Sequence, residues 1–269
     1  LVSSAFPRRA SDRALAILVD VPDDRVPDNP RWRERRRMAR QWSQALAKVG
    51  EELGLDSVTL VYYPNVHSNN ADLPASAYLY EGDPLQLTAS ALETAGREVT
   101  LAEILSSHQL LLAPTEFSTT APLKLQAKNY GYRAATMPGF SADMIPALRL
   151  DYGEINRQVQ ALKQRLDRAT GADIEFRVSS SVHRLHLDLR YRTAHASGGL
   201  FPDPATAGNL PSGEAYIVPY EGEKGELSLS AGMLPVQFGD EVVVYRIEAN
   251  KAVAVESHGP ASAAEAEKI

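Results

Sequence analysis

The chain has 269 residues, of which 44% are hydrophobic and 23% charged, the mix of an ordinary globular protein of one large or two ordinary domains. Lys and Arg number 28 against 34 Asp and Glu, a net charge of −6; this argues against nucleic acid or an anionic membrane as the main partner. There is no cysteine, so disulfides, thiolate metal sites, Fe–S clusters and a cysteine nucleophile are excluded.

Ala14–Val21 is an apolar run closed by Pro22 and reads as a buried strand of a parallel sheet. Arg31–Leu53 has apolar residues at helical spacing and Gly54 as its stop, and Ser57–Tyr63 reads as the next strand. This strand–helix–strand order predicts a parallel βαβ unit. Leu85–Ala95 and Leu101–Ser106 read as helices, Gln109–Ala113 as a strand, Thr119–Tyr130 as a helix and Arg133–Thr136 as a strand. Asp151–Ala169 is a polar amphipathic helix. Beyond Gly171 the pattern changes to strands at Ile174–Ser179, His183–Tyr191, Ala215–Pro219, Glu226–Ser230, Glu241–Ile247 and Ala252–Glu256. The expected fold class is an α/β N-terminal domain with a mainly parallel sheet, over 1–150, and a β-rich C-terminal domain over 172–269. A connecting helix lies between them at 151–171.

Few motifs carry chemistry. His183 and His186 sit three apart in a strand pattern, which puts them on opposite faces. No HExxH, GxSxG, GxGxxG or Walker A motif is present. The acidic loop Asp20–Asp24 could bind a cation, but the favoured reading is a solvated loop. Asn65–Pro74 follows a sheet strand, where open α/β sheets place ligands, and its Asn69, Asn70 and Asp72 suit either a polar ligand or an Asx-rich turn. In Gly198–Glu221 the run Asn209-Leu210-Pro211-Ser212-Gly213-Glu214 precedes a strand. Pro211 and Gly213 form a tight turn that presents Glu214, a carboxylate suited to a divalent metal, although the residues taken alone favour an ordinary loop.

Asn209–Pro219 resembles the N-[LM]-P-x-G-E-[VI]-[FY]-x-[AV]-P segment of the aminopeptidase T-like family of metallo-aminopeptidases. Ala134–Met144, Asp151-Tyr152-Gly153, Leu185–Arg192 with Gly198-Gly199, and Asn250–Ala266 are similar to further segments of that family. The resemblance implies a two-domain, metal-dependent, aminopeptidase-like hydrolase that uses divalent ions (Zn, Co or Mn, possibly two) to remove N-terminal residues from a peptide substrate. It implies Glu214 as a metal ligand. The family's other ligands lie downstream of the segment matching Asn250–Ala266, so the expectation is that residues 1–269 hold no complete metal site. Leu1 in place of an initiator Met and the helix-forming Ala263–Ile269 point to a piece of a longer protein.

An iron-dependent ring-cleaving dioxygenase of dihydroxypyridine breakdown belongs to the same superfamily and is the alternative. A non-catalytic binding or assembly relative is a third. An exposed apolar patch is expected beside Glu214, which favours a homodimer. No apolar run approaches the roughly 20 residues that span a bilayer, and the expected location is cytoplasmic.

Overall fold

The computed structural model describes residues 2–269. Val2–Ala5 (α1) leads into Ala14–Val21 (β1), whose bounds are those of the apolar run. Pro30–Lys48 (α2) is capped by Asn29, whose side chain accepts the Trp32 N–H. The long helix read over Arg31–Leu53 breaks at Val49 and resumes for one turn, Gly50–Leu53 (α3). Gly50 is a poor helix former, and a Cβ there would lie 3.2 Å from the Leu55 carbonyl. Gly54 closes α3 at φ +74°. Ser57–Pro64 (β2) follows, then Ser76–Leu79 (β3), which the polar loop pattern had hidden. The helix read at Leu85–Ala95 is a 3-10 turn, Pro84–Gln86, and then Ala89–Ala95 (α4) capped by Thr88. Arg97–Thr100 (β4), Leu101–Ser107 (α5), Leu110–Ala113 (β5), Thr120–Tyr130 (α6) and Arg133–Thr136 (β6) come next, and Tyr152–Leu166 (α7) opens the second half. Gly171–Val178 (β7), Ser181–Asp188 (β8), His195–Ser197 (β9), Thr206–Asn209 (β10), Glu214–Tyr216 (β11), Ala231–Phe238 (β12), Glu241–Glu248 (β13), Lys251–Val255 (β14) and Pro260–Ala266 (α8) complete the order.

The fold is an α/β part with a mainly parallel sheet followed by a β-rich part. It divides into two compact units. The first contains residues 1–157 and 197–213, and the second 158–196 and 214–269. The chain therefore returns to the first unit across 197–213, where the sequence pattern had suggested one continuous β-rich stretch.

The first unit holds a seven-stranded sheet in the order β10-β6-β5-β1-β2-β3-β4. The first five of these strands are mutually parallel, and β3 and β4 form an antiparallel edge. Successive β1 side chains alternate between two cores. Leu15, Ile17, Val19 and Val21 join Met38, Tyr62 and Phe140, and Ala16 and Leu18 join Tyr63, Ile104, Leu111 and Leu123. Burial of each large aliphatic side chain contributes roughly 1.5–3 kcal/mol. Connections leave β1 toward β2 on one side and return to β5 on the other, so the strand order reverses between β1 and β5. That switch point is where open α/β sheets form a crevice at their carboxyl ends.

The second unit is built on a five-stranded sheet, β14-β13-β12-β8-β7, whose neighbours are all antiparallel. β9 and β11 form a separate two-stranded ribbon. The strand read at Glu226–Ser230 is irregular chain, with Leu227 and Leu229 exposed. Its backbone is held by a side chain instead of a ladder: the buried Asp188 carboxylate accepts the Leu229 N–H at 2.9 Å, and Ser230 Oγ accepts the Asp188 N–H at 2.8 Å. β12 escaped the sequence reading because of Pro235. It pairs with β8 only at Ala231 and Gly232, and beyond them it has a ladder partner on one side only, where a proline is tolerated.

Candidate functional site

At the carboxyl end of β1, Asp20 is buried and gathers three donors. Its Oδ1 accepts the Glu116 N–H at 2.8 Å and the Trp32 Nε1–H at 3.0 Å, and its Oδ2 accepts the Phe117 N–H at 3.1 Å. Burial nevertheless pushes its pKa up to about 6, against these hydrogen bonds and the nearby Arg35 charge. Glu116 binds the buried Arg35 guanidinium at 2.5 Å and accepts from Asn29 Nδ2 at 3.2 Å. This network fixes the loop after β5 against the start of α2.

The Asn65–Pro74 loop reaches the same edge. Asn69 Oδ1 accepts the Ser118 N–H, and Asn70 Oδ1 accepts the Ala121 N–H and the Ser118 hydroxyl. Both amide oxygens thus staple the loop to the start of α6 through contacts distant in sequence, a third outcome beside the local Asx turn and the polar ligand that the sequence left open. His67, at φ +63°, places Nε2 2.6 Å from Asp23 Oδ2. The hydrogen bond from His67 helps hold the Asp23 carboxyl below the usual range, against its burial.

Asn209 ends β10, beside Thr136 at the end of β6. Its Oδ1 accepts both the Thr120 and Thr136 hydroxyls, at 2.8 and 2.9 Å. Leu210 is buried and donates its N–H to the Thr136 carbonyl. The Leu210–Pro211 peptide is cis. Ser212 Oγ donates to the Ser197 carbonyl at 2.8 Å. The lead-in glycines allow close packing on the start of α7: a Cβ on Gly198 would meet Asn156 at 2.4 Å, and one on Gly199 would meet the Tyr152 ring at 2.4 Å. Asn209, Leu210, Pro211, Ser212 and Gly213 belong to the first unit, and at Glu214 the chain re-enters the second.

Glu214 opens β11 and is exposed. Among the described residues its carboxylate has no hydrogen-bond or ion-pair partner. Two residues on, Tyr216 shares its strand face, and the His195 ring stacks on Tyr216 with centroids 5.1 Å apart. Sequence reasoning missed both His195 and Tyr216. The two-residue spacing from Glu214 could have found Tyr216; His195 comes only from the pairing of β9 with β11. Tyr216 and Val218, two and four residues beyond Glu214, are exposed.

Glu221 and Glu223, the nearest carboxylates along the chain, do not add a metal site. Glu223 binds Arg192 at 2.8 Å and accepts the Glu221 N–H. Among the described residues no group of three or more His, Cys, Asp or Glu converges on one point. A mononuclear iron site needs several such ligands, and a dinuclear site more, so the residues present do not fit either one by themselves.

No family model matches the sequence, and no curated protein matches it. The structure is similar to that of 2,5-dihydroxypyridine dioxygenase from Pseudomonas putida KT2440, with a TM-score of 0.55 and 16% sequence identity. The match covers 94% of this chain and 65% of the dioxygenase chain. At this identity the likeness shows the fold: nearly all of the chain follows one architecture, of which it spans about two thirds. Among the described residues no helix is long and apolar enough to cross a membrane.

Proposed function

We propose that this protein is a metal-dependent ring-opening dioxygenase acting on a hydroxylated pyridine or a similar small heteroaromatic. The observation that carries the reading is the match of 94% of the chain to the dihydroxypyridine dioxygenase architecture. Glu214, unpartnered and exposed at the start of β11, is a carboxylate free to accept a hydroxyl or ring N–H from such a substrate. The reading requires metal ligands beyond those that residues 2–269 bring together.

The test is direct. Protein expressed from its complete reading frame is loaded with Fe(II) without oxygen and mixed with 2,5-dihydroxypyridine and air. The expected result is loss of the heteroaromatic absorbance with one O2 consumed per ring. Absence of both overturns the reading.

A second reading is favoured by a different observation, the Asn209–Pro219 segment that resembles the metallo-aminopeptidases. There Glu214 is a ligand of a divalent Zn, Co or Mn ion. Release of N-terminal residues from an unblocked peptide, with no oxygen uptake, would select it.

A further inference from the structure

Strands with one solvated face turn apolar side chains inward and polar ones outward. The segment starting at β11 does the reverse at two positions. Glu214, Tyr216 and Val218 are exposed, while Ala215 and Ile217 between them and Pro219 after them are partly buried. Tyr216 is 42% and Val218 48% exposed, so a carboxylate, an aromatic ring and an aliphatic side chain follow one another along one outward face. His195 lies nearly parallel to the Tyr216 ring, with 26° between the planes. The approach to β9 is anchored, since Asp167 accepts the Ala194 N–H at 2.8 Å and is itself held by Lys163 at 2.6 Å. The two rings thus form a stack on an anchored backbone, on the strand that carries an acceptor without a partner, and a backbone ordered in advance lowers the cost of binding there.

We infer that the His195–Tyr216 stack is a platform for the ring of a flat, uncharged heteroaromatic substrate, placed so that ring donors face Glu214. The inference rests on the ring-opening reading and names the surface that selects its substrate class. Aromatic rings gain from offset stacking beyond the area they bury. The Glu214 carboxylate accepts hydroxyl or N–H donors and repels anionic ligands. An aliphatic ligand would gain only the area term.

The experiment is an anaerobic titration of the complete protein with 2,5-dihydroxypyridine, read by calorimetry and by the ligand's ring-proton shifts. Wild type is expected to bind with upfield ring-proton shifts. Tyr216→Ala weakens binding about tenfold and abolishes the shifts, His195→Ala weakens it about threefold, and Tyr216→Phe stays within twofold, as the size of an aromatic pair implies. Tyr216 is exposed, so these variants keep the fold, which their circular dichroism checks. Equal affinity in wild type and Tyr216→Ala overturns the platform and leaves the ring-opening reading to stand on its oxygen uptake. No binding by wild type overturns both. Unchanged affinity with loss of a dimer in Tyr216→Ala overturns the platform and gives the surface to a second copy of the chain.

Discussion

The Asp20 carboxylate accepts the Glu116 backbone N–H at 2.8 Å, and through it the carboxyl end of β1 holds the loop that follows β5. The carboxyl is buried, with its pKa raised to about 6 from 3.8. Between those values the folded protein holds a proton that the unfolded chain has lost. The contribution of this group to stability is therefore full below about pH 4 and falls as pH rises through 6, by on the order of 3 kcal/mol. Urea unfolding of wild type and Asp20→Asn at pH 4.5 and pH 7 checks this. The stability of wild type relative to the variant should drop between the two pH values, and a constant difference would show that Asp20 titrates normally.

Gly199 and Gly131 both have positive φ, +68° and +78°, yet they should respond differently to a methyl group. A Cβ on Gly199 would press on the buried Tyr152 ring at 2.4 Å, whereas one on Gly131 would meet nothing within 4 Å. Gly131→Ala is expected to cost about 1 kcal/mol from the left-handed backbone alone. Gly199→Ala adds the clash and should cost about 3 kcal/mol. Equal midpoints in denaturant would contradict the close packing of this loop on α7.

Arg133 and Asp12 form a buried ion pair at 2.6 Å, and the same guanidinium also donates to the Pro7 and Phe201 carbonyls. Removing one partner leaves the other charge buried. Asp12→Ala is expected to destabilise by about 3 kcal/mol, and adding Arg133→Met should recover part of that loss. Thermal or chemical unfolding of the two variants would show it; a double variant less stable than Asp12→Ala would point to the carbonyl contacts as the larger part.

Glu214→Gln separates stability from activity. The side chain is exposed and has no protein partner among the described residues, so the variant should unfold within about 0.5 kcal/mol of wild type. Under the aminopeptidase reading, where Glu214 is a metal ligand, its turnover should fall about a hundredfold or more, since even residues behind a metal ligand are worth up to that much; under the ring-opening reading the loss of the anionic acceptor should lower turnover about tenfold. A variant with full turnover would remove Glu214 from the site.

Local features were legible in the sequence because local forces decide them. The apolar run Ala14–Val21, the stop at Gly54 and the strand Arg133–Thr136 follow from periodicity and turn chemistry within a few residues. So do the start of a strand at Glu214 after Pro211 and Gly213 and, from alternation beyond Gly171, the switch from a parallel sheet to consecutive strands. Tertiary structure decided what depends on partners distant in sequence. Glu226–Ser230 alternates like a strand, but the Asp188 carboxylate takes its backbone out of the ladder. Ala231–Phe238 contains a proline yet pairs, because β13 supplies its partner. Asn209 ends a strand of the first sheet only because Thr136 lies beside it, and His195 meets Tyr216 only because β9 pairs with β11. No local pattern encodes such contacts, since their energy comes from groups brought together by closing long loops.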